Sequence, residues 1–234
     1  QLPDESRFVI ARGKGSRVWD SDGNEYVDFV MGSGPMVLGH APDSVVEAVQ
    51  RQVALGSTYY GLNEPVLQLA QQVCDASPCG EMIRFTCSGT DGTFSAIRLA
   101  RAYTGREKIL KFDGGWHGGH DYAQQDMAEA GAPKSRPLSD GIPQGATDTV
   151  LVSPFNDPAM ATDLIGRHAH DIAAVIVEPL QRAIRPEPGF LEALREVTVK
   201  HGIVLIFDEV VTGFRLAWGG AQEHYGVTAD VAVY

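Results

Sequence analysis

Leu205-Ile206-Phe207-Asp208-Glu209-Val210-Val211-Thr212-Gly213-Phe214 decides the fold of this chain, because an apolar run here carries a carboxylate to its own end. A strand made of Leu, Ile and Phe without alternation is buried on both faces, as in a parallel sheet covered by helices. Asp208 then stands at the C-terminal tip, the edge at which open α/β sheets bind ligands. Two readings are open for it. It caps the following turn, or it faces a cationic partner.

The flanking sequence repeats the pattern. Strand candidates are Met82 to Cys87, Lys108 to Phe112, Thr149 to Val152, Ile172 to Val177, Ile203 to Phe207 and Asp230 to Tyr234; helices centre near Ala96, Ala161 and Leu194 between them. The fold class is therefore α/β, a mostly parallel sheet with helices on both faces. Ahead of it, Ser16 to Asp20 and Glu25 to Phe29 form a hairpin about the Asp22-Gly23 turn. Two helices follow, from about Pro42 to Leu55 with Asp43 or Ser44 as cap, and from about Glu64 to Ala76 with Pro65 in its first turn. The organisation is an N-terminal segment 1–60 and a larger domain 61–234. The polar stretch Gly114 to Ala146 is too long for an ordinary connection and reads as functional or mobile.

Composition narrows the function. A chain of 234 residues, 44% hydrophobic and 21% charged, buries a sizeable core. Its net charge of −11 argues against general affinity for nucleic acid or an anionic membrane. No run approaches the roughly 20 apolar residues of a membrane span, and Gln1-Leu2-Pro3-Asp4-Glu5 does not resemble a signal peptide, so the expectation is a soluble, cytoplasmic protein. Cys74, Cys79 and Cys87 read as buried thiols, being odd in number and without a C-x-x-C pair. The lack of an initial methionine and the strand-like ending at Tyr234 lead us to expect that both ends are cut, with further sequence beyond Tyr234.

Two loops carry chemistry. Cys87-Ser88-Gly89-Thr90-Asp91-Gly92-Thr93 opens a helix, and a hydroxyl-rich glycine turn there offers backbone N–H groups to a phosphate; an ordinary capped helix is the alternative. Asp113-Gly114-Gly115-Trp116-His117-Gly118-Gly119-His120-Asp121 follows a strand, with glycines that admit a close ligand and Trp116 as a flat face for a ring. A metal on His117, His120 and Asp121 is disfavoured by the missing further ligands, and His168 with His170 suits a helix end. A phosphate cradle, an aromatic plate and a carboxylate at successive strand ends match the needs of pyridoxal 5′-phosphate, whose ring nitrogen requires an anion.

These residues make the family recognisable. The chain resembles the class III, fold type I pyridoxal-phosphate aminotransferases, in the branch that includes glutamate-1-semialdehyde aminomutase. The resemblance rests on Val18-Trp19-Asp20-Ser21-Asp22-Gly23-Asn24, Leu38-Gly39-His40-Ala41, Ser88-Gly89-Thr90-Asp91, Trp116-His117-Gly118, Val177-Glu178-Pro179, Pro188-Gly189-Phe190-Leu191 and Phe207 to Arg215. It implies that Ser88, Gly89 and Thr90 hold the phosphate, Trp116 stacks on the ring, Val210 covers its other face, and Asp208 pairs with the ring nitrogen. Glu178 and His117 are implied near the cofactor. Ser33, Tyr59 and Tyr60 are implied near the substrate, with a homodimer as the working assembly. On the family pattern, residues 61–234 are an incomplete cofactor-binding large domain; the Schiff-base lysine is expected two residues past Tyr234, with the small domain after it, so that 1–234 alone is expected to be inactive.

Departures bear on the substrate. Asp91 replaces a usual Glu, Trp116 a usual Tyr or Phe, and Ser33 a bulkier residue. Leu180 to Pro186 is shorter than the aminomutase segment, and the aminomutase's gating segment has no clear counterpart around Met127 to Pro133. These differences favour a transaminase that moves an amino group from an amino donor to a keto or aldehyde acceptor by a ping-pong route. An intramolecular aminomutase is the first alternative, and a non-catalytic binding protein the second. Arg182 or Arg185 either grips a substrate carboxylate or is a solvated surface arginine.

Overall fold

The computed structural model describes residues 8–129 and 135–234. The expectations placed on Gln1 to Glu5, and on the part of the gating segment from residue 130 to 133, lie outside the described residues. The chain separates into two compact units between Leu67 and Gln68.

In the first unit, β1 (Ile10–Lys14), β2 (Arg17–Asp20) and β3 (Glu25–Val27) form an antiparallel sheet in that order. The expected hairpin is its β2–β3 half, and β1 adds a third strand. Asp20 explains why the turn closes here. Its carboxylate accepts from the Asp22 and Asn24 backbone N–H groups at 3.0 and 2.8 Å and from the Tyr26 hydroxyl at 2.8 Å, while Gly23 takes φ +87°. Helix α1 (Asp43–Leu55) has Pro42, and neither Asp43 nor Ser44, at its N-cap, with no side-chain cap bond. Pro42 fits because its fixed φ suits that position and the helix needs no N–H from it. Helix α2 (Glu64–Ala76) begins in this unit and is capped by Asn63, whose Oδ1 accepts from Val66 N at 3.2 Å.

The second unit holds α3 (Gly89–Thr104), β4 (Lys108–Phe112), β5 (Gln125–Met127), β6 (Ser135–Pro137), α4 (Gln144–Thr147), β7 (Val150–Ser153), α5 (Pro158–Arg167), β8 (Ile172–Val177), α6 (Phe190–His201), β9 (Val204–Asp208), α7 (Gly220–Tyr225) and β10 (Val231–Val233). Five of the strands make one sheet in the order β10-β9-β8-β4-β7, every pair parallel. All six residues of β8 and all five of β9 are buried, as their unbroken apolar runs require. One core lies between the sheet and α5 and α6, around Phe112, Phe190 and Phe207; the other lies beneath α3, around Ile97, Ile176 and Ile206.

Two expectations are corrected. Met82 to Cys87 is extended but is not a strand, because no strand among the described residues pairs with it; Met82 is 91% exposed. Cys87 is exposed rather than buried, since it ends that uncovered stretch one residue before the α3 cap; Cys74 and Cys79 are half-buried. Within the segment Gly114 to Ala146, β5 and β6 pair as an antiparallel two-stranded sheet.

Candidate active site

The connection from β4 leads to β7 on one side, and the chain then returns across β4 to β8 and β9 on the other. The crevice at such a reversal is where an open sheet binds its ligand. The loops after β4, β8 and β9 supply Trp116, Glu178 and the Asp208-Val210 turn, and the first turn of α3 lies opposite Val210.

Ser88 caps α3. Its Oγ accepts from Asp91 N at 3.2 Å, and its extended backbone turns the chain into the helix. The Gly89 and Thr90 N–H groups have no hydrogen-bond partner among the described residues, so two donors at the positive end of a four-turn helix remain open. Glycine is required at 89 for space, since a Cβ there would come within 3.0 Å of Val210 Cγ2. Thr90 Oγ1 accepts from Gly119 N at 3.1 Å. Gly118, at φ +102°, lies so close to Thr90 that a Cβ would meet the Thr90 Cα at 2.7 Å. The Ser88-Gly89-Thr90 turn and the Trp116 loop are thus in close contact.

Trp116 is 56% exposed, and its N–H donates to Glu178 Oε2 at 3.1 Å. Burial pushes the Glu178 carboxyl up, against the opposing influences of His117 and the Trp116 N–H. His117 and Asp208 are both buried, with Nδ1 and Oδ2 2.8 Å apart. The second carboxylate oxygen of Asp208 accepts only a long bond, 3.2 Å, from Val210 N. His117 Nε2 is buried with no partner. Asp208 is therefore held by a histidine on one side and has acceptor capacity left on the other.

Residues with no part in the sequence argument position this loop. Lys111 is fully buried, and its Nζ donates to Gln125 O at 2.5 Å and lies 3.8 Å from Asp126 Oδ1. Burial lowers its pKa, partly offset by Asp126, Asp113 and Glu178. Asp126 accepts from Gly114 N at 3.3 Å, and Asp113 accepts from Met127 N at 3.0 Å, so β5 is stitched to the loop on both strands of contact. Gln181 donates to Asp113 O at 2.8 Å. Lys111, set between apolar residues inside β4 and two residues before Asp113, was the available signal for this network.

Arg182 sits at φ +57° in a tight turn closed by the Gln181–Ile184 bridge, and its guanidinium is exposed. Its charge is felt at both Glu178 and Lys111. Arg185 lies further along, where its carbonyl accepts from Asn156 Nδ2 at 2.8 Å. Ser33, Tyr59 and Tyr60 belong to the first unit: Ser33 has φ +66°, Tyr59 OH donates to Leu55 O at 2.6 Å, and Tyr60 is exposed. A cavity of about 390 Å³ opens beside Asp113, Asp126 and Arg136. It is not the place where the phosphate turn, Trp116 and Asp208 converge, which is an open shelf.

The residues fit pyridoxal 5′-phosphate. The open Gly89 and Thr90 donors suit its phosphate, the exposed Trp116 face and Val210 suit the two sides of its ring, and the remaining acceptor capacity of Asp208 Oδ1 suits its protonated nitrogen.

Comparison with known proteins points the same way. The aminotransferase class-III family matches residues 3–234. Among curated relatives, the glutamate-1-semialdehyde 2,1-aminomutase of Methanocaldococcus jannaschii is 47% identical over 228 residues, 96% of this chain and 54% of that protein. Among solved structures, an omega-transaminase from Sphaerobacter thermophilus superposes with a TM-score of 0.93 at 41% identity, over 99% of this chain and 55% of that one. A transaminase with PLP bound superposes at 0.91 with 33% identity, over 99% and 56%. The chain spans about half the length of the curated relatives it matches.

Proposed function

This chain belongs to the class-III aminotransferase family, and from that premise we propose that the full protein is a transaminase passing an amino group from an amino donor to a keto or aldehyde acceptor. The observation that carries the reading is the buried His117–Asp208 pair at the end of β9, 2.8 Å apart, with one Asp208 oxygen left for a protonated ring nitrogen. Pyridoxal 5′-phosphate supplies an electron sink when bound.

The chain's own residues do the rest. Ser88, Gly89 and Thr90 anchor the phosphate through hydroxyls and helix N–H groups. Trp116 and Val210 hold the ring between them. Asp208 would hold the protonated ring nitrogen by a hydrogen bond, and His117, 2.8 Å from its other oxygen, fixes the carboxylate in place. Glu178 holds the Trp116 backbone and so sets the height of the stacking face. Arg182, exposed and without a hydrogen bond or ion pair among the described residues, is placed to take a substrate carboxylate as a bidentate partner. Ser33, Tyr59 and Tyr60 are read as substrate-side residues on the resemblance alone.

The assembly is read as a cytoplasmic homodimer. Helix α1 supports this, for none of its residues is buried although Val45, Val49 and Val53 form an apolar face. No described helix is long and apolar enough to cross a membrane.

The 47% identity to an aminomutase favours a second reading, transfer of the amino group within one substrate. Turnover of the full-length protein separates the two. A transaminase needs an external keto or aldehyde acceptor for each net turnover, and a mutase needs none. Product formed at full rate from a single substrate, with no acceptor present, would replace the first reading by the second.

A further inference from the structure

We propose that His120 is a positioning residue that locks the Trp116-His117 loop onto the phosphate turn through the buried hydroxyl of Thr93. The inference rests on the cofactor reading above and adds to it a link between the two halves of the cradle.

Thr93 is completely buried on α3. Its Oγ1 lies 2.6 Å from His117 O, 3.0 Å from Gly89 O, 3.1 Å from Thr90 O and 3.2 Å from His120 Nε2. The hydroxyl has one proton and three carbonyls competing for it. Two of those carbonyls belong to its own helix, the usual back-bonding partners of a helical threonine. The third belongs to the loop that carries Trp116.

His120 decides the competition. The Ala123 N–H donates to His120 O at 2.9 Å and, as the longer arm of a bifurcated bond, to His120 Nδ1 at 3.3 Å, so Nδ1 faces a donor and acts as acceptor. In a neutral ring the proton then lies on Nε2, which must donate to Thr93 Oγ1. Burial holds this imidazole neutral, with its pKa pushed down to about 4. The ring is further fixed by Phe94 at 5.5 Å and Tyr122 at 6.1 Å between centroids. With one lone pair of Oγ1 engaged by His120, the hydroxyl proton is turned to the nearest carbonyl, that of His117. Gln124 supports the same segment by donating to Gly118 O at 2.9 Å. Without the His120 donor, the Thr93 proton is free to turn to Gly89 or Thr90, and the His117 carbonyl loses its bond to α3. The Trp116 face and the phosphate donors would then move independently, and a ligand that spans both would bind less tightly.

The test compares full-length wild type with His120→Phe, which keeps the ring contacts and removes both nitrogens, and His120→Gln, whose amide N–H stands where Nε2–H stood. Cofactor-free protein is titrated with pyridoxal 5′-phosphate by quenching of tryptophan fluorescence, and its thermal midpoint is recorded. We expect His120→Phe to weaken binding about tenfold, the size of one hydrogen bond left unmade, and to reduce the visible circular dichroism of the bound cofactor. His120→Gln should return affinity to within about threefold of wild type. The thermal midpoint of His120→Phe should lie below that of His120→Gln, because Thr93 Oγ1 has lost its donor only in the former. Wild-type affinity in His120→Phe would overturn the inference, as would equal losses of affinity and midpoint in both variants, which would mean a packing role. If wild type itself takes up no cofactor, the cofactor reading falls first and the inference falls with it.

Discussion

Asp208 and His117 lie ninety-one positions apart and meet in a space with no water-exposed surface to speak of. Replacing Asp208 by Ala leaves the ring nitrogen without its anion, and turnover of the full-length protein should fall at least a hundredfold, about the loss of one acid–base group; turnover within tenfold of wild type would remove the electron-sink role. His120 gives a second residue-level outcome. Its folded pKa of about 4 lies below the ordinary 6.5, so the unfolded chain binds the extra proton first. Stability is therefore complete above about pH 6.5 and declines as pH falls toward 4. His120→Gln removes that titration, and its thermal midpoint should drop less steeply than that of wild type over this window. Asp208 and the Ser88 turn were legible in place because each ends or begins a segment whose type the pattern declares, and Trp116 because it stands in a glycine-rich loop after one. Thr93 and Gln181 were not, since a buried polar side chain announces nothing until its partners from other segments are known.

At the scale of elements, two helix starts can be set against each other. Asp157 caps α5 by accepting from Met160 N at 2.9 Å, and Ser88 caps α3 by accepting from Asp91 N at 3.2 Å. Replacing either by Ala should cost about 1 kcal/mol of stability in chemical denaturation. Only Ser88→Ala should also weaken pyridoxal 5′-phosphate in an equilibrium titration, because only that helix start is proposed to take the phosphate; equal affinity in the two variants would show that the Ser88 hydroxyl acts as a cap alone. Elements with strong periodicity were readable to within a residue, as with β4, β8 and α2. Met82 to Cys87 has the composition of a strand, but a strand exists only by pairing, and composition does not say whether a neighbour is present. The β5–β6 pair was invisible for the opposite reason. Its residues are polar, and it is held by Lys111, Asp113 and Asp126 instead of by an alternating apolar face.

For the whole molecule, the exposed apolar face of α1 carries the expectation of a dimer. Sedimentation velocity on the full-length protein should give twice the chain mass at micromolar concentration, and Val49→Asp with Val53→Asp should shift the population toward monomer. A wild-type monomer would end that reading. Fold class was open to sequence reasoning because alternation of strand and helix is a property of the chain as a string. The order of strands in the sheet was not, since it depends on which edge each new strand joins.

That order also sets when the shelf can come into being. Strand β4 is made early in the chain, yet the loop after it acquires its neighbours only when β8 and β9 have arrived from far downstream and settled beside it. Contacts over such separations form late and slowly. A partly folded chain therefore has nowhere to put a cofactor, and the ligand cannot guide the search that builds its own seat. It can only weight the finished state against the unfolded one once the last parallel strands have docked.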